Sequence, residues 1–240
     1  MTRRFLPGAI GPAVWTASRA RAKVAAMSIA AAILPVTPFQ QNCTLIWDDE
    51  SHLGVVVDPG GDADRIQVAI QQAGFRVERI LLTHGHLDHA GAATELAAAL
   101  GVPIEGPHRA DAFLLDSLPA QGARYGMTCQ AVTPDRWLEE GETVAIAGHD
   151  FDVLHCPGHT PGHVVFVNAG IGFALVGDVL FQGSVGRTDF PYGDQDALIN
   201  AIRGKLFPLG DDIRFICGHG PGSTFGTERR TNPYAGEGAR

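Results

Sequence analysis

From about residue 42 onward the chain alternates short apolar runs with polar turns, and many of the runs end at a glycine, histidine or aspartate. Asn42 to Trp47 and Leu53 to Val57 read as the two strands of a hairpin that ends in Asp58-Pro59-Gly60-Gly61. Asp62 reads as the cap of a helix in which Ile66, Ala69, Ile70 and Ala73 share a face, and Gly74 stops it. Val77 to Leu82 predicts a buried strand, and Ala92 to Leu100 a second helix closed by Gly101. Phe151 to Leu154, Gly172 to Val176 and Ile213 to Ile216 predict three further strands. Asp194 opens a helix with Leu198, Ile202 and Leu206 at i, i+4 and i+8. Strands and helices mix without a solenoid repeat, as in an α/β chain. These periodicities describe a core, so chemistry is sought where the runs end.

The strand ending at Leu82 runs into Thr-His-Gly-His-Leu-Asp-His, residues 83 to 89. Two helical ligands would sit four apart, whereas His84 and His86 sit two apart, which places them on a loop that Gly85 allows to fold tightly. The other three strands also end near donors: His159 after Cys156-Pro157-Gly158, Asp178 after Gly177, and His219 after Cys217-Gly218. If the strand ends share one edge these donors converge, at the place where α/β folds put their sites. One tetrahedral ion cannot use seven donors, so two divalent ions are implied. His84, His86 and His159 would hold the first and Asp88, His89 and His219 the second, with the two oxygens of Asp178 bridging. Zinc suits these ligands best, and iron and manganese accept the same types. A pair of ions about 3.5–4 Å apart lowers the pKa of a shared water from about 15.7 to about 7, so no serine or cysteine nucleophile is required. Asp88 has a second candidate role, as the catalytic group that carries a proton to the leaving group.

Composition fits a single enzyme domain. The 240 residues are 45% hydrophobic and 18% charged, with a formal net charge of −8. An acidic surface disfavours nucleic acid as a partner. Cys43, Cys129, Cys156 and Cys217 form no CxxC pair, which suits the reducing cytoplasm; Cys156 and Cys217 are read as buried structural thiols. Residues 1–26 differ from the rest: they carry Arg3, Arg4, Arg19, Arg21 and Lys23 and no acid, so all 26 acidic residues lie in 27–240. Pro7, Gly8, Gly11 and Pro12 break their apolar pieces, excluding a membrane span there. A basic, acid-free segment also fits a targeting peptide; the expectation is instead a disordered extension, or the product of an upstream start, followed by one domain over 27–240.

The segments THGHLDH, CPGHTPGH, LVGD, GSVGRTDFP and ICGHGPGSTFGTERRTNP together resemble the metallo-β-lactamase superfamily, and within it the small glyoxalase II-like hydrolases. The likeness runs from about Ile33 to Pro233. It implies a four-layer αββα sandwich, an α/β (α+β) fold, and the metal roles already assigned. Asp178 stands where two-zinc β-lactamases usually carry cysteine, which points to the hydrolases with a fully bridged pair. Asp58 reads either as a turn-forming aspartate or as the carboxylate that orients a ligand imidazole; the resemblance favours the second. Thr83 and Thr160 would steady their loops, while His163 reads as a packed histidine and His52, His108, His149 and His155 as surface or core residues. Glutathione thioester hydrolases bind substrate through a basic residue and a tyrosine in the loop after the bridging aspartate, and Arg187 and Tyr192 are the nearest matches. The alternative for Arg187 is a loop-pinning pair with Asp189 or Asp178. Longer glyoxalase II enzymes continue into a helical domain that makes most glutathione contacts, whereas only 21 residues follow His219.

The resemblance thus implies hydrolysis of an S-acylglutathione such as S-lactoylglutathione, or of a related small thioester, by a cytoplasmic monomer or homodimer. The competing expectations are a persulfide dioxygenase with one iron, and a non-catalytic metal-binding protein that has no need of the bridging Asp178.

Overall fold

Apolar residues occupy both faces of the central strands, so each sheet has to be covered twice. The computed structural model describes residues 14–15 and 29–239, and solves this with two six-stranded sheets packed together. The first sheet has the order β1 (Val14–Trp15), β2 (Ile29–Val36), β3 (Gln41–Asp48), β4 (Leu53–Val57), β5 (Arg76–Leu81) and β6 (Ile104–Glu105). Its first four strands are antiparallel, including the predicted β3–β4 hairpin, and β4, β5 and β6 are parallel. The second sheet begins as an antiparallel meander of β7 (Thr143–Ile146), β8 (His149–His155), β9 (Val164–Asn168) and β10 (Phe173–Gly177). A small ribbon follows, β11 (Leu180–Phe181) with β12 (Ser184–Val185). Then β13 (Arg214–Cys217) joins β10 in parallel, with β14 (Ser223–Thr224) at the edge.

Alternate side chains divide between three cores. Ile46, Val55, Val57 and Leu81 of the first sheet meet Phe151, Val153, Val164, Phe166 and Leu175 of the second in a shared inner core. Cys43, Leu45, Trp47, Val56 and Ile80 face the other way, onto Ile66 and Ile70 of α1 (Ala63–Ala73) and Leu96 of α3 (Ala93–Leu100). Val165, Val167, Val176 and Phe215 face outward onto Leu198 of α6 (Gln195–Ala201), Ile202, Leu206, and Phe225 of α7 (Phe225–Thr231). Three cores between four layers make the αββα sandwich. Because β8, β10 and β13 share one direction, their ends deliver residues to one edge of the sheet.

Some local readings change. Asp62 does not cap α1 with its side chain; it sits in the left-handed region at φ 55° while its Oδ2 accepts from the Thr37 N–H and pairs with Arg65. Gly74 does close the helix from the left-handed region, and Asp194 caps α6 by accepting from the Ala197 N–H at 2.9 Å. The periodicity through Leu198, Ile202 and Leu206 continues past α6 as a π-helical turn over Ile202–Leu206, which keeps all three side chains buried. Two helices without a sequence signal, α4 (Ala112–Asp116) and α5 (Leu118–Arg124), cross the rim of the sandwich. In the basic segment, Val14–Trp15 pair with Ala31 and Ala32, and the rest of residues 1–26 lies outside the described residues. No helix among the described residues is long and apolar enough to cross a membrane.

Phe151 is fully buried between the sheets. Phe151→Ala is expected to cost about 3–5 kcal/mol, read as a lower urea midpoint at constant slope; an unchanged midpoint would remove Phe151 from the weight-bearing core.

Candidate metal centre

The 83–89 segment divides at its middle. Its first part is the predicted loop, while Asp88 and His89 sit on a one-turn helix, α2 (Leu87–Ala90), for which His86 is the N-terminal flank. Gly85 is needed for a reason other than left-handed backbone: a Cβ there would lie 2.8 Å from Leu114 Cβ and 3.1 Å from the Asp111 carbonyl oxygen. The turn into α2 brings the rings of His86 and His89 within 4.8 and 4.1 Å of the His84 ring. Two donor groups result, each with ligand atoms within 4.8 Å of one another: His84, His86 and His159, and Asp88, His89 and His219.

Hydrogen bonds fix which nitrogen of each ring faces inward. Asp58 Oδ1 accepts from the Thr83 N–H at 2.8 Å, and its Oδ2 accepts from the Thr83 hydroxyl at 2.7 Å. Oδ2 also accepts from His89 Nδ1 at 2.9 Å, which turns His89 Nε2 toward the other donors. Having donated its proton, Thr83 Oγ1 accepts from His84 Nδ1 at 3.0 Å, which leaves the lone pair of His84 on Nε2. His159 Nδ1 donates to the Arg187 carbonyl at 2.8 Å, and His86 Nε2 meets the Tyr192 hydroxyl at 2.9 Å. The inward atoms are therefore His84 Nε2, His86 Nδ1 and His159 Nε2, with His86 Nδ1 3.0 and 2.9 Å from the other two. Burial, and for His86 the neighbouring His159, drives these rings neutral: His84 falls well below the ordinary range, His86 to about 3, and His159 is lowered.

Anionic groups surround the second set. Asp88 Oδ2 lies 3.2 Å from His219 Nε2. Asp178 reaches both sets, with Oδ1 3.3 Å from His89 Nε2 and Oδ2 3.6 Å from both His159 Nε2 and His219 Nε2. Burial works against ionisation, yet His89 holds the pKa of Asp178 far below the usual carboxylate range and that of Asp88 below it. His89 is pulled down by burial but ends well above the usual imidazole range because Asp178, Asp58 and Asp88 surround it.

These features fit divalent cations. Three imidazole nitrogens converge, and His84 and His159 each turn a lone pair inward because their Nδ1 protons go to Thr83 Oγ1 and the Arg187 carbonyl. His89 Nε2 and Asp178 Oδ1 are buried with no aligned hydrogen-bond partner among the described residues. Gly218 keeps this space open, because a Cβ there would stand 2.1 Å from Asp178 Oδ1 and 2.5 Å from His89 Cε1. Asp58, His84 and His89 also lie close together, but Asp58 already accepts three hydrogen bonds and works as a support.

Two supporting residues carried no sequence signal. Asp111 is buried where the metal-binding loops meet and accepts from the Gly85 N–H at 2.8 Å, the Thr160 hydroxyl at 2.8 Å and the Gly162 N–H at 2.6 Å. Burial pushes its pKa up to about 6 against those three donors. Asn42 ties β3 to the His219 loop through the Cys217 and Gly220 carbonyls at 3.0 and 2.8 Å. Of the remaining candidates, His163 is packed as read, accepting from the Asp178 N–H at 3.0 Å and stacking on His84. His155 stacks on His108 at 4.2 Å, away from the donors. Cys156 and Cys217 are buried thiols whose pKa values burial pushes up to about 12. Tyr192 reaches a ligand imidazole, and Arg187 is held by both oxygens of Asp189 at 2.7 and 2.8 Å. Above the donors opens a cavity of about 750 Å³, lined by Arg187, Phe190 and Tyr192, by Phe113, which packs edge-on against Tyr192, and by Arg124 and Tyr125.

An αββα sandwich with a His/Asp site for a dinuclear centre at its strand ends defines a class of metalloenzyme. The chain belongs to the metallo-beta-lactamase superfamily, whose domain it matches over residues 36–219. It is 52% identical over 204 residues to the hydroxyacylglutathione hydrolase GloC of Haemophilus influenzae, covering 84% of this chain and 96% of that one. Among solved structures, the BLEG-1 B3 metallo-beta-lactamase superposes with TM-score 0.78 at 32% identity, covering 85% of this chain and 99% of its own. TTHA1623 in a di-iron-bound form gives 0.75 at 38% identity, covering 84% and 98%.

Asp58 orients the rings of His84 and His89, one in each donor set. Asp58→Ala is therefore expected to weaken metal binding about 10–100-fold in both sets, measured by competition with a chelating dye; weakening of one ion alone would break the argument. Asp111→Asn turns an amide N–H₂ toward existing donors and is expected to cost about 1–3 kcal/mol, lowering Tm by about 2–4 °C per kcal/mol. A thermal melt at unchanged Tm would show that the loops do not depend on it.

Proposed function

We propose that the protein is a glyoxalase II-like, metal-dependent thioester hydrolase acting on S-acylglutathione, with S-lactoylglutathione as the first substrate to test, or on a related small thioester. The observation that carries this reading is the pairing of a complete seven-residue donor set with 52% identity to a hydroxyacylglutathione hydrolase over most of both chains. His84, His86 and His159 would hold one ion, Asp88, His89 and His219 the other, and Asp178 would bridge them. Bound divalent ions would supply an ionised water at neutral pH and polarise the carbonyl.

The chain's own groups do the rest. His84 and His89 are oriented through Thr83 and Asp58. The aromatic wall of Phe190 and Tyr192, stacked at 5.3 Å, borders the approach to the donors and excludes water from one side. Asp88 lines the cavity with its Oδ2 3.2 Å from His219 Nε2, which makes it the carboxylate placed to carry a proton from water to the departing sulfur. A thiol with pKa near about 8.5 leaves readily as thiolate, which makes this transfer less demanding than for an alkoxide.

Zinc is the first expectation for both positions, and the di-iron form of TTHA1623 makes iron the principal alternative. The reading includes a cytoplasmic location, which four free thiols support, and a monomer or homodimer that works on small molecules. The one-iron dioxygenase reading makes no use of the remaining donors.

Metal-loaded protein is expected to release free thiol from S-lactoylglutathione, followed with a thiol-reactive dye, and to lose this activity on chelation. Oxygen uptake with glutathione persulfide and no thiol release would overturn the reading in favour of the dioxygenase. His86→Ala is expected to reduce kcat/KM by more than the about 10–100-fold that loss of an outer partner costs, with metal content per chain falling in parallel.

A further inference from the structure

The cavity carries two arginines at its sides, and only one is committed. Arg187 lies 4.5 Å over the Phe190 ring and is clamped by Asp189 through both Nε and Nη2, so an incoming carboxylate would have to displace an existing bidentate partner. Arg124 also lines the cavity, in the last turn of α5, exposed, and no carboxylate among the described residues pairs with it. The lining beside it is apolar and open: Tyr125 is 64% exposed and packs edge-on against Phe39, and Phe113, 47% exposed, packs edge-on against Tyr192. Exposed aromatic surface beside an unpaired cation is costly to leave on a rim without a ligand, and it suits a molecule that is apolar in part and anionic at one end.

The charges in the cavity give such a molecule one orientation. Its floor holds the metal donors, with Asp88, Asp178 and His219 among the lining groups. The scissile carbonyl belongs there. With the carbonyl held at the metal donors the thiol half extends toward the cavity mouth, and Arg124 is the uncommitted cation it meets on the way out.

We infer that Arg124 determines specificity, holding a carboxylate of the thiol half of the substrate, and so selects anionic thioesters over neutral ones. This rests on the thioester hydrolase reading above and assigns to α5 the anion contact expected at Arg187.

The test compares wild type, Arg124→Ala, Arg124→Glu and Arg187→Ala, all metal-loaded, on two substrates with the same acyl group: S-lactoylglutathione and the uncharged S-lactoyl-N-acetylcysteamine. Arg124→Ala is expected to lower the ratio of kcat/KM for the charged over the neutral thioester about three- to tenfold, through KM. Arg124→Glu should lower it further, and salt at about 0.5 M should shrink the difference by screening. Equal effects on both substrates would overturn the inference, as would a selective loss confined to Arg187→Ala. Wild type that cleaves both thioesters with no preference for the charged one also overturns it and leaves the hydrolase reading standing. Wild type that cleaves neither overturns both.

Discussion

A cluster of carboxylates and imidazoles withdrawn from water is held together by whatever balances its charge, and the architecture around the strand ends answers to that constraint. Asp58, Asp178 and His89 are almost wholly buried, and no lysine or arginine pairs with any of them among the described residues. Three neutral imidazoles beside them offer lone pairs and no charge. His89, held between Asp58 and Asp178, offsets only part of the carboxylate charge, and a buried anion left short of compensation costs several kcal/mol after relaxation, so the arrangement is suited to receive cations. Asp58 shows how far the chain goes to keep it so. It accepts its three hydrogen bonds from a left-handed backbone position, φ 53°, which costs a non-glycine residue strain that the support of two ligand rings offsets.

The sandwich supplies the rigid frame this receptor requires. Strands buried on both faces have their register fixed from two sides, because a slip by one residue would exchange the contents of two cores. Leu81 and Ile80 face opposite cores, and the chain leaves them directly into Thr83 and His84. The same holds for Leu175 and Val176 ahead of Asp178. Donor positions thus inherit their precision from packing a few residues upstream. Asp111 and Asn42 add cross-links between loops that come from different sheets.

What the sequence disclosed follows from this division. Strand ends and their donors are contiguous in the chain, so the motif and the convergence of its parts were legible from apolar runs that stop at histidine or aspartate. Asp58 was legible in part, since the residues alone allowed a turn-forming aspartate before Pro59 and only the family resemblance favoured a support for the ligand rings. Asp62 misled because an aspartate before a helical pattern reads as a cap, while here a tertiary partner, the Thr37 N–H, takes its oxygen. Gly85 was legible only in part: a tight turn was expected, and the crowding that excludes a Cβ comes from Asp111, 26 residues on, and from Leu114. Helices α4 and α5 are short, and their sequence between Ala112 and Arg124 carries no strong period, so neither they nor Asp111 announced themselves. Contacts of that range belong to the fold and leave no local pattern.

The distinction bears on how far this scaffold specifies a reaction. The chain resembles a hydroxyacylglutathione hydrolase and a B3 metallo-beta-lactamase alike, over most of the length of each. Donors that serve amide and thioester cleavage on one frame cannot themselves choose between substrates. Choice has to come from groups that touch the parts of the substrate that do not react, and those groups sit on the segments with the weakest sequence pattern, α4–α5 and the loop that carries Arg187 to Tyr192. Arg187 illustrates the difficulty: its position follows from motif spacing, whereas its commitment to Asp189 appears only in three dimensions. A cation is available to a ligand according to the partners it already has, and by that criterion the recognising surface shifts to the helix that no periodicity revealed.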